Sequence, residues 1–345
     1  MKKLLIGLST ILIVLVLVAC IKDEEHTSDF EREEIQITHT ITSGSALNED
    51  QTGWDGGDRT EVTQTFKTNP ENVVIFNYDI LDMLDLVGIE KTSIRRIALP
   101  KGNIPTYLNK YNSNDYISAG SLFIPDWTAL DLFIPDLIII GGRSAGSYDR
   151  MKELYGHADI LDVSLVFGEY LEGVARNAEN IGKIFPSIKD DLAQEIASLS
   201  AGMDDVKTVA QNYKALFIMM NGEQMSFFPA NGRFAVIHDE FGFDVADPNF
   251  SNNGGSHGNQ GNHEYIRSVN PQVILVVDRG SATGGGSSNF EAFLNNALIK
   301  ETTAGINDDI YTLDPTAWYI SVGGITSTRQ MIQDFETFIA KYKNN

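Results

Sequence analysis

One helical stripe in the middle of the chain constrains the fold more than any other feature. Between residues 187 and 211, Ile188, Leu192, Ile196, Leu199, Met203, Val206 and Val209 recur at spacings of three and four. That is the apolar face of one helix. At about 1.5 Å per residue it would run roughly 37 Å, long enough to pass from one lobe of a protein to another. Gly202 is the place where it could instead break into two helices.

On both sides of the stripe the pattern changes. The apolar runs at 73–76, 94–99, 137–140 and 160–163 are short and rich in β-branched residues, as buried strands are. They alternate with helical spacing at 78–87, closed by Gly88, at 129–132 and 148–155, and with a closing segment at 168–185. After the stripe, strand runs at 215–220, 273–277 and 310–313 alternate with helical patterns at 234–241, 290–298 and 327–342. This rhythm predicts an α/β fold: two lobes with mainly parallel sheets, joined by a single long helix. The lobes span 35–186 and 212–345, with the connecting helix at 187–211, and the chain is long enough for two domains. Residues 35–42 alternate like a strand, and 43–60, rich in Gly and Asp, read as a surface loop.

The chain starts MKKLLIGLSTILIVLVLVAC. Two lysines precede an apolar run that stops at Ala19 and Cys20, which resembles a bacterial lipoprotein signal over residues 1–19. In that reading Cys20 becomes the lipidated N-terminus and tethers the protein to the cell membrane, facing the extracellular side or the periplasm; an uncleaved transmembrane anchor is the other reading. Cys20 is the only cysteine, so no internal disulfide can form. Residues 20–34 are charged and aperiodic, as an acidic tether would be. The formal charge of −21, without a basic run, excludes nucleic acid as a partner.

Three arginines fall at the ends of strands or helices. Arg143 follows the 137–140 run in GGRSAG, Arg233 precedes a helix in NGRF, and Arg279 ends VILVVDR. Ligands of open α/β sheets sit beyond the carboxyl ends of the strands, so this placement points to an anion site. His257 and Tyr319 lie in loops of the second half and offer an imidazole nitrogen and, once deprotonated, a hard phenolate oxygen, a pair that suits iron. Two other readings compete. GRSAG fits the nucleophile turn of a serine hydrolase, with Ser144, Asp239 and His257 in a permissible order, but no oxyanion motif accompanies it and the long helix splits the sheet. His238, His257 and His263 could hold a bare divalent cation with nearby acids, but the arginines would repel it.

Taken in order, NPENVVIFNYDILDMLDLVGI, LPKGNIPTYLNKY, DLIIIGGRSA, NGRFAVIHDEFGF, SHG, NPQVILVVDR and WYISVGG resemble the substrate-binding lipoproteins of iron-siderophore ABC transporters. The likeness is to the branch that binds ferric catecholates of the petrobactin type, and it runs from about Val62 to the C-terminus. It implies a class III periplasmic-binding-protein fold and a monomer without a cofactor of its own, which catalyses nothing and hands a ferric siderophore to a permease. It further implies that His257 and Tyr319 complete the coordination of iron, with Arg143, Arg233 and Arg279 around the catecholates. Permease docking in this family uses one acid on each lobe: Glu264 matches the second, and Asp126 stands in for the first, where Ile124 occupies the usual acidic position. Other cargoes of the same fold, a hydroxamate siderophore, haem or cobalamin, remain open. A stiff helical connector leads us to expect a largely preformed cleft with limited closure.

Overall fold

A computed structural model describes residues 30–251, 258–286 and 288–343. The expected signal peptide, Cys20 and His257 lie outside the described residues. The acidic tether does not run free as far as Glu34. The Glu33 N–H donates to Thr68 Oγ1 at 2.8 Å, and Arg32 pairs with Asp136 at 3.2 Å, so the chain is docked before the first strand begins.

That strand, β1 (Glu34–Ser43), is followed by a small hairpin of β2 (Ala46–Leu47) and β3 (Trp54–Asp55) and then by β4 (Asp58–Lys67). β1 and β4 pair antiparallel from Glu34 opposite Lys67 to Ser43 opposite Asp58. The loop expected at 43–60 is therefore a structured insertion. Its second long strand shows no clear apolar alternation in sequence because polar Gln64 stands between the inward-facing Val62 and Phe66 and the other seven residues are exposed, whereas β1 buries Ile37 and His39.

The first lobe continues through β5 (Asn72–Ile75), α1 (Tyr78–Val87), β6 (Arg96–Leu99), β7 (Ile117–Ser118), α2 (Trp127–Phe133), β8 (Leu137–Ile140), α3 (Tyr148–Leu154), β9 (Asp159–Asp162) and α4 (Tyr170–Ile184). Its sheet is parallel throughout, in the order β7-β6-β5-β8-β9. The strand order reverses at β5, so a crevice opens where the loops after β5 and β8 diverge. Asn77 caps α1 by accepting the Ile80 N–H at 3.0 Å, which fixes the loop after β5.

The mid-chain stripe forms one helix, α5 (Lys189–Ala210), of 22 residues. Gly202 does not break it. A Cβ there would stand 3.0 Å from Ile332, so the glycine admits a neighbouring helix instead. The second lobe contains β10 (Lys214–Asn221), β11 (Gln224–Phe227), α6 (Val236–Asp239), β12 (Asp244–Val245), β13 (Asn259–Gly261), α7 (His263–Val269), β14 (Val273–Asp278), α8 (Arg279–Thr283), α9 (Phe290–Asn295), α10 (Ala297–Lys300), α11 (Thr303–Asn307), β15 (Ile310–Leu313), α12 (Ile325–Gln333) and α13 (Glu336–Tyr342). Its sheet is mixed: β14 and β15 extend β10 in parallel on one side, while on the other β12 pairs the start of β10 in parallel, β11 pairs its end antiparallel, and β13 pairs β11 antiparallel. The terminal helix expected over 327–342 is two helices, turning at Phe335, whose ring is fully buried.

One apolar cluster runs through both lobes. It takes in Ile75 and Leu84 of the first, Leu199, Met203 and Val206 of α5, and Leu275, Trp318 and Phe335 of the second. The lobes also bond directly. Asp82 Oδ2 of α1 accepts the Thr326 N–H of α12 at 2.7 Å, Tyr107 Oη donates to Ser321 Oγ at 3.1 Å, and Tyr170 and Thr328 hydroxyls share a hydrogen bond of 2.8 Å. Among the described residues no helix is long and apolar enough to cross a membrane.

Candidate functional site

Arg143 stands on a 3-10 turn, Gly142–Ser147, directly beyond the carboxyl end of β8. Gly142 has φ +51°, a left-handed backbone that favours glycine, and its N–H donates to Ser164 Oγ at 2.8 Å. The turn aims Arg143 across to the other lobe, where Nη2 donates to the Tyr319 carbonyl at 2.9 Å and Nη1 to the Ile320 carbonyl at 3.3 Å.

Arg279 begins α8, immediately after β14. Its neighbour Asp278 caps that helix, accepting from Ser281 Oγ at 2.6 Å and from the Ser288 N–H at 2.7 Å. Burial alone would raise the Asp278 carboxyl, but these donors outweigh it and hold its pKa below the usual carboxylate value. With Asp278 occupied in this way, Arg279 is free to donate from Nε to Tyr319 Oη at 2.7 Å. Arg233, in the turn ahead of α6, lays its guanidinium 4.6 Å from the centre of the Tyr319 ring.

Tyr319 itself rides on a single π-helical turn, Thr316–Ile320. Trp318 anchors the turn: its indole is buried and donates from Nε1 to Asp334 Oδ2 at 2.7 Å. The next side chain is consequently turned out to be half-buried, and the three arginines gather on it, with Arg143 and Arg279 guanidiniums at 5.8 and 5.4 Å from its ring. The sequence left open whether Tyr319 is core; Trp318 takes that part instead.

These neighbours change its chemistry. Burial pushes the Tyr319 phenol up, but the Arg279 hydrogen bond and the charges of Arg233, Arg279 and Arg143 together bring it below the ordinary tyrosine value. Arg233 is lowered in turn, first by burial and then by Arg143 and Arg279, partly offset by Tyr319. Like charges held this close repel one another, so an anion entering the cleft relieves repulsion as well as gaining attraction. The cluster is built to receive negative charge beside a phenol held below the ordinary tyrosine value.

Residues the sequence reading passed over also border it. The Phe123 ring lies 5.9 Å from the Arg143 guanidinium and is 43% exposed. Asp79, in the first turn of α1, is pushed up to about 7 by burial, against the pull of Asn77 and Arg143.

Other expected residues lie elsewhere. Ser144 is wholly buried and its Oγ accepts the Gly141 N–H at 3.1 Å, so it presents no nucleophile. His238 Nδ1 bonds the Phe243 carbonyl at 2.8 Å and burial lowers its pKa, a structural role. The His263 ring packs 5.9 Å from Phe293. Among the described residues no group of three or more His, Cys, Asp or Glu side chains could hold a metal ion. Glu264 is exposed in the first turn of α7, and Asp126, also exposed, caps α2 by accepting the Ala129 N–H at 3.1 Å.

A family model described as periplasmic binding protein matches residues 73–317. The petrobactin-binding protein YclQ of Bacillus subtilis is 33% identical over 99% of this chain and 100% of its own length. The ferric-anguibactin-binding protein FatB of Vibrio anguillarum is 27% identical over 74% of this chain and 79% of its own. Among solved structures, the catecholate-siderophore binding protein VctP of Vibrio cholerae superposes with a TM-score of 0.72 at 32% identity, covering 87% of this chain and all of VctP.

Proposed function

The chain belongs to the periplasmic binding protein family, and from that premise we propose that it captures a ferric catecholate siderophore between its lobes and delivers it to the permease of an ABC importer. It is a binding protein and not an enzyme. The observation that carries the choice of cargo is the convergence of Arg143, Arg233 and Arg279 on Tyr319. A ferric ion held by two doubly deprotonated catecholates is a net anion with open coordination sites. Each guanidinium at about 5 Å in an effective dielectric of about 20 attracts a unit negative charge by roughly 3 kcal/mol before desolvation. The Tyr319 phenolate supplies one oxygen to the iron, and His257 supplies the second protein ligand. The relatives named for petrobactin, anguibactin and catecholate siderophores support the same cargo class.

The remaining parts of the reading rest on sequence. Cys20 carries the lipid that holds the protein at the membrane, and Glu264 and Asp126 meet the permease, one from each lobe. The deciding experiment is a titration with a ferric bis-catecholate, following tryptophan fluorescence and the visible charge-transfer band together. Tight quenching with a shift of that band, lost in Tyr319→Phe, is the expected result. Binding of a ferric hydroxamate, haem or cobalamin in its place would overturn the cargo and leave the fold untouched.

A further inference from the structure

The insertion between β1 and β4 reaches the turns that carry Phe123 and Arg143. Trp54 of β3 donates from Nε1 to the carbonyl oxygen of Phe123 at 2.8 Å, across 69 positions of sequence. Its side chain also lies on Gly146, where a Cβ would stand 2.4 Å from Trp54, so the turn that carries Arg143 has kept the space open for it. On the far side of the same turn Arg59 of β4 donates to the Ser164 and Leu165 carbonyls at 3.4 and 3.3 Å, and Ser164 in turn holds the Gly142 N–H. The insertion thus grips the Arg143 turn at both ends and fixes the Phe123 turn beside it.

The Phe123 turn is tight: Ser121 Oγ accepts the Phe123 and Ile124 N–H groups at 3.2 and 2.9 Å. Phe123 keeps 43% of its surface exposed, and its ring centre lies 5.9 Å from the Arg143 guanidinium. A lone exposed phenylalanine is ordinary, but one whose carbonyl is held by an indole N–H and whose ring lies beside the Arg143 guanidinium presents an apolar, π-rich face next to the anion site.

Resting on the function proposed above, we propose that Phe123 forms an aromatic wall of the cleft against which a catecholate ring of the ligand packs, and that Trp54 is the positioning residue that holds it there. The arginines select for charge and the wall selects for planar aromatic donors, so the insertion is a specificity element of this chain.

The test is a calorimetric titration of the full chain with the ferric complex of a linked bis-catechol, with melting temperatures recorded in parallel. Phe123→Leu should weaken binding about three- to tenfold, the range of a lost aromatic contact. Phe123→Tyr, which keeps the ring, should recover most of that loss. Trp54→Phe keeps the packing on Gly146 but removes the donor, and should cost less than Phe123→Leu. The double variant Trp54→Phe with Phe123→Leu should bind no worse than Phe123→Leu alone, because Trp54 acts through the ring. Unchanged affinity in Phe123→Leu overturns the wall. Losses that multiply in the double variant overturn the positioning role of Trp54. If Tyr319→Phe loses binding while Phe123→Leu does not, the function stands and this inference falls; if the wild type does not bind the complex, both fall.

Discussion

The pull on the Tyr319 proton is the most consequential effect at the scale of single residues. Burial would make this phenol a poorer acid, yet the Arg279 hydrogen bond and the surrounding guanidiniums more than compensate, and a lowered pKa brings the phenolate needed by a hard metal closer to neutral pH. Arg279→Met removes the Nε donor and one charge together. The Tyr319 pKa should then rise, seen as the part of the ultraviolet titration that disappears with Tyr319→Phe. Affinity for a ferric bis-catecholate should fall about 10- to 100-fold, the value of a charge-assisted hydrogen bond, with the larger loss at the acidic end of the titration. The arginines carry an opposite cost without ligand. Arg233 is depressed by burial and by its two like-charged neighbours, so Arg233→Met should raise the melting temperature of the ligand-free protein by roughly 1–2 °C per kcal/mol of relieved repulsion while weakening binding. A variant that lost both stability and affinity would count against stored repulsion in this cluster.

At the scale of elements, the contact between α1 and α12 joins the lobes through a carboxylate. Asp82 is 1% exposed and accepts the Thr326 N–H in the first turn of α12. Burial raises it to about 6, against the pull of the Thr326 and Ser327 donors and with a further push from Asp85. The folded state therefore keeps a proton that the unfolded chain has lost, so this group is neutral in its effect at pH 4 and costs stability as pH climbs through the folded value. Asp82→Asn keeps an acceptor and removes the titration. Its stability relative to wild type should improve by about 2–3 kcal/mol between pH 4 and pH 7, read from urea unfolding at each pH, the size of a shift of about two units. An unchanged difference would mean that Asp82 is not buried as described. The same scale shows why some elements were legible in sequence and others were not. Leu137–Ile140 announced itself as a strand because a parallel strand covered on both faces must be apolar throughout, and α5 did so because its buried stripe repeats over many turns. β4 did not, since most of its residues are exposed and polar Gln64 interrupts its inward face between Val62 and Phe66, and neither did the antiparallel β11 and β13, which are placed by tertiary pairing. In the site, the arginines were legible because each ends a strand or opens a helix. Phe123 was not, because what fixes it is a hydrogen bond from Trp54, far away in sequence.

At the scale of the whole molecule, the formal charge of −21 and an anionic cargo look incompatible until distance is considered. Salt screens exposed acids beyond about 8 Å, while three guanidiniums converge within the cleft itself, so the local field governs capture. The architecture also limits how far the cleft can move. α5 is a continuous helix packed into a core shared by both lobes, and Asp82 with Thr326, Tyr107 with Ser321, and Tyr170 with Thr328 tie the lobes at separate points. Arg143 adds a fourth tie, to the carbonyls of Tyr319 and Ile320, within the site that the ligand enters. A wide hinge motion would have to break these bonds and expose part of the shared core, and the apolar cost of that exposure rises by about 25 cal/mol for each Å² uncovered. Small-angle scattering with and without a ferric bis-catecholate should accordingly show the radius of gyration changing by no more than a few per cent of the about 20 Å expected for a chain of this length. A larger contraction on binding would mean that the ligand-free lobes stand apart, and that the ties described here form only when the cleft is filled.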